Sequence, residues 1–184
     1  MKILTINGPN LNLLGEREPG VYGTCNLQQL NDKIFEKSKS LNMHCDFFQS
    51  NHEGEIIDKL HDSRLNYDGI IINAGAFTHY SYAIRDAISA IKIPCIEVHI
   101  SNVFAREKFR ENSVISAVCK GSISGFGEYS YILAVEGLKN IINKWSEEWY
   151  KMNNIEKLIG LFPQNMQCAM ITSEVNRRYF TGMK

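Results

Sequence analysis

The stretch Gly69-Ile70-Ile71-Ile72-Asn73 decides the fold. Its isoleucines follow one another without the polar–apolar alternation of a half-solvated strand, so both faces of this strand must be buried. Strands of that kind belong to parallel sheets covered by helices on either side. Outward from it, strand-like runs fall at Ile3–Asn7, Met43–Gln49, Pro94–Ile100 and Val114–Cys119. Helical patterns fall between and after them, at Leu27–Leu41, Gly54–Arg64, Tyr80–Ile91, Ala105–Arg110 and Glu128–Tyr150. The alternation predicts an α/β chain with a flavodoxin-like, doubly wound, five-stranded parallel sheet in the order 2-1-3-4-5 and helices on both faces. In such sheets the ligand crevice lies at the carboxyl ends of the strands, beside the topological switch point.

The loops at those ends carry the polar chemistry. After the first strand comes Asn7-Gly8-Pro9-Asn10-Leu11-Asn12-Leu13-Leu14-Gly15-Glu16-Arg17-Glu18-Pro19-Gly20-Val21-Tyr22-Gly23, far longer than the usual connection of ~2–6 residues. Long loops in this place form sites or lids. Arg17 and Tyr22 could act together: ionising a tyrosine at pH 7 costs roughly 4 kcal/mol against its reference pKa of ~10, and a guanidinium at ~4 Å supplies about that much at an effective dielectric of ~20. Taken alone, the same residues also fit a solvent ion pair of Arg17 with Glu16 or Glu18 and a tyrosine packed over the loop. Gln49-Ser50-Asn51-His52-Glu53-Gly54-Glu55 follows the second strand, Asn73-Ala74-Gly75-Ala76-Phe77-Thr78-His79 the third, and Glu97-Val98-His99-Ile100-Ser101-Asn102 closes the fourth. Ser50 and Ser101 also suit simple helix capping.

Composition narrows the classes. With 44% hydrophobic residues in 184, the chain has material for one well-formed core. Twenty basic and twenty acidic side chains cancel, so no global field favours nucleic acid or an anionic membrane. No stretch approaches the ~20 apolar residues of a membrane span, and the apolar run at Ile3–Ile6 is too short for a signal peptide, which predicts a cytoplasmic protein. Cys25, Cys45, Cys95, Cys119 and Cys168 lack C-x-x-C spacing and read as reduced, mostly buried thiols. His44, His52 and His61 show no metal-ligand spacing. His79 and His99, at strand ends, are the acid/base candidates. Gly121-Ser122-Ile123-Ser124-Gly125-Phe126-Gly127 lacks the Gly-Lys-Ser/Thr ending of a phosphate loop and reads as a turn into the last helix.

Several ordered motifs closely resemble the type II 3-dehydroquinate dehydratases of the shikimate pathway. They are Asn7 to Gly15, Arg17-Glu18-Pro19 with Tyr22-Gly23, Gln49 to Gly54, Ile72 to Ala76 with Thr78-His79, Glu97 to Asn102, and Arg106-Glu107-Lys108-Phe109-Arg110, together covering roughly residues 1 to 140. The resemblance implies dehydration of 3-dehydroquinate to 3-dehydroshikimate without a cofactor or metal, by anti elimination through an enolate. It also implies a homododecamer built as a tetramer of trimers. By the same resemblance Tyr22 is the base and Arg17 its activator. Asn10 holds a water on the enolate oxygen, and His99 is the general acid, oriented by Glu97. Asn73 and the backbone of Ile100 and Ser101 meet the substrate carboxylate near the start of the helix expected at Ala105. His79 and Arg110 hold ring hydroxyls, and Asp86 reaches a neighbouring subunit's site. The family usually has a Ser/Thr-rich turn where Thr24-Cys25-Asn26 stands here, but Asn26 can still cap the next helix.

The catalytic domain is thus expected at 1–150. Residues 151–184, with Ile155-Glu156-Lys157-Leu158 and Cys168-Ala169-Met170-Ile171-Thr172-Ser173, resemble the opening helix and strand of an aminopeptidase P/creatinase-type amino-terminal domain. They carry no metal ligands and predict an appendage without peptidase activity. On architecture alone a flavodoxin-like receiver or flavin carrier remains the alternative, although the first loop has neither a Ser/Thr/Gly phosphate cradle nor an acidic phosphoacceptor pair.

Overall fold

The computed structural model describes residues 1–16 and 25–152. Arg17, Tyr22 and the helix and strand expected beyond residue 152 lie outside the described residues. The chain divides into two compact units, Met1–Asn140 and Ile141–Lys184.

In the first unit five strands, β1 (Lys2–Asn7), β2 (His44–Gln49), β3 (Gly69–Asn73), β4 (Cys95–His99) and β5 (Gly121–Ser124), form one sheet in the order β2-β1-β3-β4-β5. All four pairings are parallel. The described residues form four α-helices: α1 (Leu27–Ser40), α2 (Glu53–Ser63), α3 (Tyr82–Ile91) and α4 (Tyr129–Met152), the last running on into the second unit. No described helix is long and apolar enough to cross a membrane.

The isoleucine run behaves as its pattern requires. Every residue of β3 is buried. Ile70 and Ile72 join Leu4, Ile6, Ile56, Leu60, Ile84 and Ile88 in one apolar cluster, so α2 and α3 cover one face of the sheet. The other face meets α4, where a Cβ on Gly69 would lie 2.8 Å from the Leu138 side chain. Each fully buried aliphatic side chain contributes ~1.5–3 kcal/mol. Helix entries use local polar chemistry: Asn26 Oδ1 accepts from Gln29 N–H at 2.8 Å and Gln29 Oε1 accepts from Asn26 N–H at 3.0 Å, a reciprocal capping box. Ser81 caps α3 by accepting from Ile84 N–H at 3.0 Å.

Two expected elements are corrected. The fifth strand is Gly121–Ser124, not Val114–Cys119. Val114 and Ile115 are buried, but they lead into a 3-10 turn, Ser116–Val118. The segment read as a turn into the last helix therefore supplies β5 first and turns only afterwards, at Gly125 and Gly127, both with positive φ. The helix expected at Ala105–Arg110 is instead two short 3-10 turns, Val103–Ala105 and Lys108–Glu111. Three residues carry little aligned dipole, so helix-terminus stabilisation of a carboxylate has no basis there.

One glycine is dictated by space. Gly8 N–H donates to Asn73 O at 2.7 Å, and a Cβ on Gly8 would meet the Ala74 carbonyl carbon and oxygen at 2.6 Å. Both are backbone atoms, so the loops after β1 and β3 would have to separate. Gly8→Ala is expected to lower stability by ~1–3 kcal/mol, in the range of overpacking, read as a lower urea midpoint at unchanged m-value. A midpoint equal to the parent's would refute the steric argument.

Candidate active site

A cleft of about 120 Å³ opens at the carboxyl ends of the strands, lined by residues from the β1, β3 and β4 loops and by Val103, Arg106 and Arg110. Asn10, Asn73, His79, His99, Ile100, Ser101 and Arg110, all expected site residues, lie in that lining. Asp86 does not: it is exposed on α3. Glu97 stands behind the lining, fully buried.

The floor is a polar network. Asn7, the last residue of β1, accepts through Oδ1 from the Tyr131 hydroxyl at 2.7 Å, and that hydroxyl accepts from Asn73 Nδ2 at 2.9 Å. Asn73 Oδ1 accepts from Gly75 N–H at 3.2 Å. All three side chains are buried, so each polar atom paired here avoids a desolvation cost of ~1–3 kcal/mol. The loop after β1 is held on its other side by the β2 loop. Asn10, at φ 66°, a left-handed conformation that asparagine tolerates, donates its N–H to Asn51 Oδ1 at 2.9 Å. Gln49 Nε2 donates to the same oxygen at 3.1 Å and to Gly8 O at 3.2 Å. Ser50 serves the entry to α2: its Oγ accepts from His52 N–H at 2.9 Å and donates to Glu55 at 2.5 Å.

On the wall, His99 Nε2–H donates to Glu97 Oε1 at 2.7 Å. Ser113 Oγ donates to the same oxygen at 2.9 Å, and Ser116 Oγ donates to Oε2. Burial pushes the Glu97 carboxyl up, but the hydrogen bonds from His99 and Ser116, the His99 charge and Ser113 together hold it below the usual carboxylate value. Nε2 being committed to Glu97, the Nδ1 of His99 is the ring nitrogen left for chemistry in the cleft. The His79 ring stacks beside it, with centroids 6.4 Å apart and planes at 17°. Burial above all, with the His99 and Arg110 charges, lowers the His79 pKa against the raising effect of its bond to Asn112 O at 2.9 Å. Near pH 7 that ring is neutral, donating through Nδ1 and able to accept through Nε2. Arg110 forks onto Glu107, at 2.7 and 3.4 Å, and the Arg110 hydrogen bond is the chief reason the Glu107 carboxyl falls to about 2.

Arg106, Ser113, Ser116, Tyr131, Gln49 and Asn51 are the functional side chains to which the sequence reading gave no role. Arg106 is the one with a visible signal, since it stands in the same short motif as Arg110. With two guanidiniums in its lining, the cleft suits an anionic guest. A carboxylate-backed imidazole, a neutral second imidazole and these cations can move a proton on a small anion and hold its oxygens.

Comparisons agree with this geometry. Residues 1–139 match the family model described as Dehydroquinase class II. A 3-dehydroquinate dehydratase of Caldicellulosiruptor saccharolyticus is 61% identical over 142 residues, covering 77% of this chain and 98% of that protein. One from Thermotoga neapolitana is 53% identical over 147 residues, covering 80% and 100%. Among solved structures, the type II dehydroquinase of Butyrivibrio crossotus superposes with a TM-score of 0.74 at 55% identity, covering 76% of this chain and 97% of that one.

Proposed function

This chain belongs to the class II dehydroquinase family, and on that premise we propose that its cleft dehydrates 3-dehydroquinate to 3-dehydroshikimate, a step of the shikimate pathway. The observation that carries the reading is the buried Glu97 behind His99, in a cleft whose lining also includes Asn73, His79, Ile100, Ser101 and Arg110.

The substrate is a cyclic β-hydroxy ketone with a carboxylate. Losing water from it requires removing a proton next to the carbonyl, stabilising the enolate and protonating the departing hydroxyl. Tyr22 takes the proton as phenolate, made accessible by the Arg17 charge. Asn10 holds the water that donates to the enolate oxygen. His99 delivers a proton to the leaving hydroxyl, and Glu97 fixes the ring and stabilises its charged form. The substrate carboxylate is met by Asn73 and the main chain at Ile100 and Ser101, without help from a helix terminus. Neutral His79 accepts from a ring hydroxyl, and Arg110 donates to another oxygen. Base and acid come from different loops, which suits attack on opposite faces of the ring and hence anti elimination. The exposed position of Asp86 on α3 suits a role in a neighbouring subunit's site within a dodecamer of four trimers. The reaction belongs in the cytoplasm, residues 1–150 carry it, and 151–184 form an appendage without peptidase activity.

The test is spectrophotometric: purified protein mixed with 3-dehydroquinate should generate the ultraviolet absorbance of a conjugated enone. Borohydride added during turnover should not inactivate it, because no lysine lines the described cleft to form an imine. Absence of enone would refute the assignment, and borohydride inactivation would refute the enolate route.

A further inference from the structure

Glu97 is a carboxylate with no access to water, so its charge depends on the donors the protein places around it. His99 supplies one of them. The other two come from a segment with no assigned role, Asn112–Ser116, between the arginine-bearing turn and β5.

We propose that Ser113 and Ser116 are positioning residues for the dehydration, forming a two-hydroxyl pincer that keeps Glu97 anionic and aligned behind His99. The proposal rests on the reading of His99 as the acid. Each hydroxyl has one proton, and in Ser113 its direction is set: Ser113 Oγ accepts from Ser116 N–H at 3.0 Å, leaving its own proton for Glu97 Oε1 at 2.9 Å. Ser116 opens the 3-10 turn Ser116–Val118 and donates to Oε2. Both carboxylate oxygens are thus gripped from outside β4, and the rotation that would loosen the His99 bond is blocked.

The segment carrying the pincer is itself anchored. Val114 and Ile115 are buried in the apolar cluster. Val114 N–H donates to Thr78 O at 2.9 Å, and Val114 O accepts from Arg85 Nη1 at 2.9 Å. Asn112 O accepts a hydrogen bond from His79 Nδ1–H. One strap of five residues therefore sets the Glu97–His99 pair through its hydroxyls and the His79 ring through a carbonyl, which accounts for the near-parallel stacking of the two imidazoles. Among the described residues, few titratable groups face Glu97. His99 and Cys95 come from its own strand, His79 from the turn after β3, and Cys119 follows the strap and bonds to Cys95. The hydrogen bond with Cys119 and then burial push the Cys95 thiol up, so it stays a neutral thiol and sets no thiolate charge against Glu97. Among the described residues, the groups that favour the anion are His99, Ser113 and Ser116.

The experiment is a ¹³C-carboxyl NMR titration of Glu97 in the ligand-free protein, run on the parent, S116A, S113A/S116A and the hydroxyl-preserving S113T/S116T. Removing donors to the charged form should raise the Glu97 midpoint by at least ~1 pH unit in the double alanine variant, by less in S116A, and little in the threonine variant. The acidic limb of kcat/KM should move up by the same amount, with kcat at neutral pH falling more than KM rises. A general loss of packing would reduce amplitude without moving that limb. A Glu97 midpoint equal to the parent's in folded S116A or S113A/S116A overturns the proposal. So does a raised midpoint with an unmoved acidic limb. If the parent makes no enone, the functional reading fails, while the carboxyl titration still decides whether the pincer holds the charge.

Discussion

A Tyr22→Phe variant is expected to bind 3-dehydroquinate within a few-fold of the parent and to turn it over ~10²–10⁴-fold more slowly, the usual loss with a positioned acid or base. The substitution removes one oxygen and keeps the ring, so the proposed phenolate is lost with little change in side-chain shape. The energetics explain why Arg17 must matter nearly as much. Holding a phenol ionised at pH 7 costs roughly 4 kcal/mol relative to its ordinary pKa, and a single guanidinium about 4 Å away returns a similar amount at an effective dielectric of ~20. Isothermal titration together with steady-state rates separates the two effects. Parent-like kcat in Tyr22→Phe would remove the base from the mechanism.

His99→Ala is the second large effect expected, again ~10²–10⁴-fold in kcat, but with a different signature. The substitution takes away the proposed acid and also one of the three donors that stabilise the buried Glu97 carboxylate. The Glu97 pKa should therefore rise, and with it a stability penalty. The sign follows from linkage: the folded-state pKa of Glu97 is depressed in the parent, so its contribution is present above the unfolded value and is lost as pH falls through the folded one. His99→Ala has less of that contribution to lose, so its urea midpoint should fall furthest below the parent's near pH 7 and approach it toward pH 4. A kcat within a few-fold of the parent would exclude His99 as the acid. Midpoints that stay parallel across that range would exclude its hold on Glu97.

The fold was legible where burial alone determines residue type. The β3 isoleucines, apolar on both faces, announced a parallel sheet, and the strand ends then located the cleft. The reading failed at the sheet's edge. β5 is half exposed, with one aliphatic residue in Gly121-Ser122-Ile123-Ser124, because an edge strand lacks a neighbour on one side and needs no continuous apolar run. The more apolar Val114–Cys119 has strand composition for another reason: Val114 and Ile115 anchor the strap in the core. Misreading that segment also hid Ser113 and Ser116. Serines that act through another side chain carry no spacing of their own, and the same holds for Gln49, Asn51 and Tyr131. Residues expected to face the substrate were readable from resemblance and strand position, whereas residues that hold them required coordinates.

Tyr131 lies 124 residues after Asn7, to which its hydroxyl donates a hydrogen bond, and also bridges to Asn73. During translation both asparagines leave the ribosome long before the tyrosine exists, so the nascent sheet carries two amides with an unfilled place between them. Completion of the cleft floor must await the opening turn of α4. A polypeptide released before that point would hold the side chains that line the cleft yet lack the hydroxyl that joins the first strand to the third.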